Sequence, residues 1–474
     1  MRLPSVAHAA LPLIIAAAFA VRAWCYTGPI GSDDHDYYLA AYEMHEGTYQ
    51  PSDKYWKNRY GMILPIAAAY ELFGTHEYAA AAWPMLAALG AVAVCYLLGK
   101  KLVDRQTGLL AALLLAFYPL DVHYSGLILP DIPISFLVAA SVYAFIEANG
   151  SSRRALMLYF LSGLLLGVAY LCRSMSIIVL PFFLMYAALF ERRLKWAHSL
   201  CAAGFFAVIA AEGAYYALHG LSPLYGFQLN AQAAIAVNSS DECSTSQAYY
   251  PQVIFRNRSV FGLYFFLFLP AMALAAVKRA RGALILLAWA GSILLILQFG
   301  YVSLFPPIEI VKVRKFLIYS NVPLVLLGAW ALMQVRGRFR WPVVGVIIAL
   351  SLHSLRPYSF SFNRTPEAMG GNIRHVAAYL KQMPQKPIYT DPRTQAMLML
   401  TSGFEFGDQR FRNLYQVSSP QELHNCYVVI NWFYARFDSA QSGQMPMLLV
   451  NYLKSVPTGW SKKDFTQSLV LDVP

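Results

Sequence analysis

Three acids stand within four residues in the segment Gly31-Ser32-Asp33-Asp34-His35-Asp36-Tyr37-Tyr38. Carboxylates this close repel one another unless a cation, hydrogen-bond donors or a substrate offset the charge. An aspartate held this way can act as a general base toward a hydroxyl. The same cluster, Asp33, Asp34, Asp36 and His35, also has the donor types for a divalent ion such as Mg, Mn or Zn, although its spacing matches no metal motif. A solvated acidic loop is the third reading. A further acid, Asp131, closes the short segment 121–131 and precedes Ile132-Pro133 and an apolar run. An acid at the edge of hydrocarbon is expensive to keep and is a functional candidate for that reason. Asp just ahead of a helix with Pro at its second position is also a common N-cap, and the two roles are compatible.

The cations that accompany these acids are few and localised: Arg59, Arg173, Arg256, Arg258, Lys312, Arg314 and Lys315. Arg offers paired hydrogen bonds to a phosphate and Lys a point charge. Contact with bulk phospholipid headgroups would use the same residues. Glu212 and His219 read as packing or helix-end groups.

What must position these residues is a membrane domain. Only 13% of the 474 residues are charged and 58% are apolar, which excludes a cytosolic enzyme, a disordered chain and a coiled coil. Eleven apolar runs read as spans: 7–26, 77–98, 107–128, 132–149, 155–171, 176–190, 197–219, 261–277, 282–304, 315–335 and 341–355. The shorter apolar stretch 62–74 reads as a helix lying in the interface. With the N-terminus inside and the first helix retained, every second loop is basic, as in Lys100-Lys101, Arg153-Arg154 and Arg192-Arg193. The net charge of +12 then divides into +12 on the cytoplasmic side, −4 outside and +4 in the tail. That distribution is a topology signal and excludes a nucleic-acid partner.

The chain therefore divides at about 355. Residues 1–355 form the membrane domain, with outer loops 27–76, 121–131 and 220–260. Residues 356–474 form a small outer α/β domain, with helices expected at 371–382 and 393–402 and strands at 386–390 and 426–431.

Asp33-Asp34-His35-Asp36-Tyr37 resembles the D-(E/D)-x-x-Y motif that follows the first span of GT-C glycosyltransferases. Among these, the protein O-mannosyltransferases and the lipid A aminoarabinose transferases are the most similar in pattern. Leu72-Phe73-Gly74, Gly99-Lys100-Lys101-Leu102, Tyr124-Ser125 before Asp131-Ile132-Pro133, and Leu171-Cys172-Arg173 keep the family's order. The similarity covers residues 1–200 well and 310–330 loosely. It departs from the family in the additional Asp36 and His35.

The resemblance implies a GT-C-like polytopic α-helical membrane protein of about eleven spans. It also implies inverting transfer of a sugar from a polyprenyl-phosphate donor to a lipid, glycan or protein acceptor on the outer face of a bacterial inner membrane. Asp33 would be the general base, Asp34 and Tyr37 would orient it or the substrates, and Asp131 would be the second acid. Arg173, Arg314 and Lys315 would hold the carrier phosphate, with Arg59, Arg256, Arg258 and Lys312 as further substrate-binding cations. No cofactor is required by this chemistry, and a divalent metal stays open. A lipid or glycan transporter, a flippase and a glycan polymerase or ligase are the competing readings. The transporter reading expects broken helices at the bilayer midplane and internal repeats, and no repeat is evident.

Overall fold

A computed structural model describes residues 5–150, 154–238, 248–256, 264–304, 307–358, 369–417, 420–432, 434 and 459–474. Among the described residues, six helices are long and apolar enough to cross a membrane: Glu77–Leu102, Asp131–Gly150, Ala155–Cys172, Trp196–Leu218, Arg281–Phe299 and Arg314–Met333. A seventh is formed if the bent pair Arg105–Ala116 and Pro119–Ser125 counts as one span. These account for seven of the eleven expected runs. Runs 7–26, 176–190 and 261–277 carry shorter apolar helices, and run 341–355 falls in the helix Gly337–Leu355. The expected interfacial helix is Tyr60–Phe73. The protein is multi-pass.

One run was drawn too long. The helix in 282–304 stops at Phe299 because Gly300 adopts extended backbone. Strand β1 (Tyr301–Leu304) follows and pairs antiparallel with β2 (Pro307–Glu309). Tyr and Val at the head of β1 favour the pleated surface that a helix would have wasted. Among its described residues, the expected outer loop 220–260 holds two helices, Tyr225–Asn238 and Tyr249–Arg256.

The chain forms two units that are discontinuous in sequence. The first comprises Met1–Cys25, Gln50–Pro65 and Trp83–Pro357; the second comprises Tyr26–Tyr49, Ile66–Ala82 and Tyr358–Pro474. In the first unit, Asp131–Gly150 packs on Ala155–Cys172, which packs in turn on Ser199–Leu218. Ser141 and Ser162 exchange hydroxyl-to-carbonyl hydrogen bonds of 2.7 and 2.9 Å across the first of these contacts. Pairing the two hydroxyls removes the cost of burying them between apolar helices.

The first unit also holds a broken span. The segments Arg105–Ala116 and Pro119–Ser125 meet at 57°. Pro119 cannot donate the hydrogen bond that would continue the first segment, so the carbonyls ahead of it need other partners. Tyr264 donates to the carbonyl of Leu114 (2.6 Å), and Arg22 donates to those of Leu115 (3.3 Å) and Ala116 (2.9 Å). Arg22 is itself neutralised by Asp121 at 2.5 Å, and both side chains are fully buried.

In the second unit, residues from 369 onward build a five-stranded sheet in the order β4-β3-β5-β7-β6. Its members are β3 (Ile388–Thr390), β4 (Phe411–Asn413), β5 (Cys426–Asn431), β6 (Ser461–Asp464) and β7 (Ser468–Val473). β3 runs parallel to β4 and β5, and β7 runs antiparallel to β5 and β6. The central strand β5 is buried along its whole length, as its run Cys-Tyr-Val-Val-Ile requires. Helices Met369–Gln382 and Pro392–Thr401 accompany the sheet. Asp391 caps the second, accepting from the amides of Arg393 (3.0 Å) and Thr394 (2.9 Å). The expected C-terminal α/β fold is present, with both expected helices and both expected strands in place.

Candidate functional site

In the second unit, the acidic segment opens the helix Asp34–His45. Asp33 occupies the position before its first residue, partly exposed, and makes no side-chain cap hydrogen bond. Asp34 is fully buried, and its carboxylate accepts the amides of Ile30 (2.8 Å) and Ser32 (2.5 Å). Burial raises its pKa; the two amides and the His35 ring pull the other way, and Asp33 adds to the rise. His35 bonds through Nδ1 to the Ser32 carbonyl and lies 3.7 Å from Asp36. Tyr37 and Tyr38 are fully buried, so their rings fix the helix from beneath.

The two neighbouring acids are thus treated differently. Asp34 has both oxygens turned into its own loop, while Asp33 is partly exposed. An ion held by the cluster would have to compete for Asp34 with the two backbone amides. Among the described residues, no group of three or more His, Cys, Asp or Glu is arranged to hold a metal.

The loop that carries these acids is tied down by partners that the sequence did not single out. Arg374 forms three hydrogen bonds of 2.7–3.0 Å with Glu77 and another of 3.0 Å with the carbonyl of Thr27. Tyr434 donates its hydroxyl to the Ile30 carbonyl. The helix Asp34–His45 packs against Pro392–Thr401, and Tyr42 stacks on Phe404 at 3.8 Å between centroids.

In the first unit, Asp131 is the first residue of its helix and is fully buried. Its Oδ1 accepts from Arg173 at 3.3 Å, and its Oδ2 is buried with no hydrogen-bond partner among the described residues. The Arg173 guanidinium lies 4.9 Å from the Phe316 ring centre, and that of Arg59 lies 4.5 Å from the Tyr55 ring centre. Burial alone would raise the pKa of the Tyr55 phenol. The charges of Arg59 and Arg173, with hydrogen bonds from Ser174 and Arg59, outweigh burial and lower it. A phenol held toward its anionic form reports a positive environment. Asp131, Arg173 and Arg59 all act on Tyr319 as well, so the four belong to one cluster. Tyr55 and Tyr319 lacked a sequence signal, because Tyr is abundant throughout this chain.

The remaining predicted cations stand in varied settings. Lys312 is buried and paired with Glu309 at 2.5 Å. Arg314 and Lys315 open the 3-10 turn Arg314–Ser320. Arg256 ends the helix Tyr249–Arg256, and Arg258 lies outside the described residues.

Residues 63–214 match the model of the family Dolichyl-phosphate-mannose-protein mannosyltransferase. No curated protein matches the chain by sequence. Among solved structures, the chain is similar to ArnT from Cupriavidus metallidurans in the apo state, with a TM-score of 0.66 and 15% identity over 98% of both chains. It is similar to the same protein bound to undecaprenyl phosphate, with a TM-score of 0.63 and 14% identity over 97% of both chains. The archaeal oligosaccharyltransferase AglB from Archaeoglobus fulgidus, in complex with an inhibitory peptide and a dolichol-phosphate, gives a TM-score of 0.55. Its identity is 12% over 99% of this chain and 74% of that one. The resemblance read from the acidic motif therefore holds at the level of fold: the chain shares the fold of ArnT along nearly its whole length.

Proposed function

We propose that the chain is an integral-membrane inverting glycosyltransferase that moves a sugar from a polyprenyl-phosphate donor to an acceptor on the outer face of a bacterial inner membrane. The observation that carries this reading is the cluster of Arg59, Arg173, Asp131 and Tyr55, in which Arg59 and Asp131 are buried and the other two partly exposed. Arg173 pairs with Asp131, and Arg59 adds a second guanidinium beside Tyr55, leaving a surplus of positive charge suited to a phosphate. ArnT, whose fold the chain shares, binds undecaprenyl phosphate.

In the proposed reaction the acceptor hydroxyl oxygen attacks the anomeric carbon. Asp33, the more exposed of the two adjacent acids, takes the hydroxyl proton. The bond between the anomeric carbon and the phosphate oxygen breaks, and its electron pair leaves on the polyprenyl phosphate. Arg173 and Arg59 stabilise that developing charge, and Arg314 and Lys315 extend the same role along the carrier phosphate. Asp131 holds Arg173 in place and, as the second acid, supplies an acceptor for a donor on the substrate. Asp34 and Tyr37, buried behind Asp33, orient it. Arg256, Arg258 and Lys312 remain candidate contacts to substrate.

The N-terminus is assigned to the cytoplasm and the C-terminal domain to the outer side on the positive-inside pattern. The test is release of free polyprenyl phosphate by purified protein supplied with a panel of polyprenyl-phosphate hexoses and pentoses plus envelope acceptors. Asp33→Asn is expected to abolish release, and full activity of that variant would remove the assignment.

A further inference from the structure

We infer that Arg374 and Tyr434, carried by the C-terminal α/β fold, are positioning residues that fix the backbone of residues 27–34 so that Asp33 is aimed. This rests on the proposed role of Asp33. The segment is bonded at four main-chain points. Arg374 donates to the carbonyl of Thr27, Tyr434 donates to that of Ile30, and Asp34 accepts the amides of Ile30 and Ser32. The peptide groups of Ile30 are therefore held from both sides, by Tyr434 on the oxygen and by Asp34 on the nitrogen. Asp33 lies between Ser32 and Asp34, both anchored.

The fit of the chain to these partners is close. Gly28 and Gly31 have φ of +82° and +64°, a region that strains any residue with a Cβ. A Cβ on Gly28 would lie 2.5 Å from Arg374 Nη2, and one on Gly31 would lie 2.5 Å from the Tyr434 hydroxyl. Absence of a side chain lets the two partners reach the backbone. Arg374 is in turn held by Glu77, both side chains being 10% exposed, so the guanidinium cannot swing away without giving up three charged hydrogen bonds.

The physical consequence is orientation. Each loop residue left unfixed regains backbone conformational entropy. A catalytic group misplaced by about 1 Å loses on the order of a hundredfold in rate. The C-terminal fold therefore serves the reaction through the loop, although Arg374 and Tyr434 themselves touch no reacting atom.

The experiment uses the full-length protein in nanodiscs and compares wild type, Arg374→Ala and Tyr434→Phe by two readouts. The first is steady-state release of polyprenyl phosphate from the panel above. Arg374→Ala is expected to lower kcat by about 10–100-fold and Tyr434→Phe by about 3–10-fold, with the donor KM within about twofold of wild type. The second readout is hydrogen–deuterium exchange, expected to rise in residues 27–34 of both variants while β5 and β7 keep their protection.

Unchanged kcat, or a raised donor KM at constant kcat, would overturn the inference. So would unchanged exchange in 27–34. Tyr434→Phe removes one hydroxyl and keeps the ring, so it remains decisive if Arg374→Ala unfolds the domain. If wild type transfers no sugar, the catalytic reading fails on its own account, and the exchange arm still shows whether the clamp exists.

Discussion

Among its described residues, the membrane unit contains two Arg–Asp pairs built from the same residue types and put to different uses. Arg22 and Asp121 are both fully buried, 2.5 Å apart, and their remaining valences are largely spent. Arg22 also binds the carbonyls of Leu115 and Ala116 at a helix break, and Asn321 donates to the second oxygen of Asp121 at 3.4 Å. Arg173 and Asp131 are joined by one bond of 3.3 Å, Arg173 keeps 15% of its side chain exposed, and Asp131 Oδ2 has no partner among the described residues. In the Arg22–Asp121 pair both carboxylate oxygens and both terminal guanidinium nitrogens are bonded inside the fold, with only Arg22 Nε left over, so the pair holds the fold together. A pair whose carboxylate keeps one oxygen without a partner among the described residues is able to receive a ligand.

The largest expected effect follows from breaking the Arg22–Asp121 pair. Asp121→Ala leaves the Arg22 charge buried and unpaired, and is expected to cost about 3–5 kcal/mol and most of the folded yield. Replacing both partners, as Arg22→Met with Asp121→Leu, should recover much of that loss when thermal unfolding is followed in detergent. A double variant as unstable as the single one would show that the helix break needs the guanidinium itself.

The second effect separates the two pairs. Arg173→Ala is expected to reduce sugar transfer by about 100–1,000-fold, the range for losing a charge-stabilising donor. Its unfolding temperature should change less than that of Asp121→Ala. Equal destabilisation by the two substitutions would erase the distinction.

Asp34 offers an intermediate case, an acid satisfied by backbone amides rather than by a cation. Its pKa is raised in the folded chain, chiefly by burial. Between its unfolded value of about 3.9 and that raised value, the folded chain binds a proton that the unfolded chain has released. Stability therefore falls as pH rises through this window, and the loss is complete above the folded pKa. Asp34→Asn removes the titration, so its unfolding temperature should vary less with pH than that of wild type. An identical pH dependence in the two proteins would show that Asp34 is not the titrating group.

The smallest effect belongs to Tyr55. Tyr55→Phe removes a phenol that Arg59 and Arg173 hold toward its anionic form, and is expected to weaken donor binding by about 2–10-fold with little change in stability. A stronger loss than Arg173→Ala would place Tyr55, and not the arginines, at the centre of the cluster.

Much of the architecture was legible because hydrocarbon imposes a simple rule on sequence. Runs of apolar residues became helices, and Asp33, Asp34 and Asp131 stood out against a chain with few charges. The α/β pattern of the tail was equally readable in KPIYT and CYVVIN, whose short β-branched runs match β3 and β5. What was not legible depends on distance along the chain. Arg22 meets Asp121 across 99 residues and Arg374 meets Glu77 across 297, and no local spacing announces either partner. β4, β6 and β7 were also missed. In β6 all four residues of Ser-Lys-Lys-Asp are exposed, so the strand exists through its pairing with β7 and not through any pattern of its own.

The central claim is that the Arg173–Asp131 cluster receives the carrier phosphate while the Arg22–Asp121 pair does not. The most direct measurement is the affinity of polyprenyl phosphate for wild type, Arg173→Ala and the Arg22→Met/Asp121→Leu double variant in nanodiscs. Loss of one charged hydrogen bond, worth about 1.5–3 kcal/mol, predicts a Kd about 10–150-fold weaker for Arg173→Ala and unchanged for the double variant. Wild-type affinity in Arg173→Ala would contradict the account.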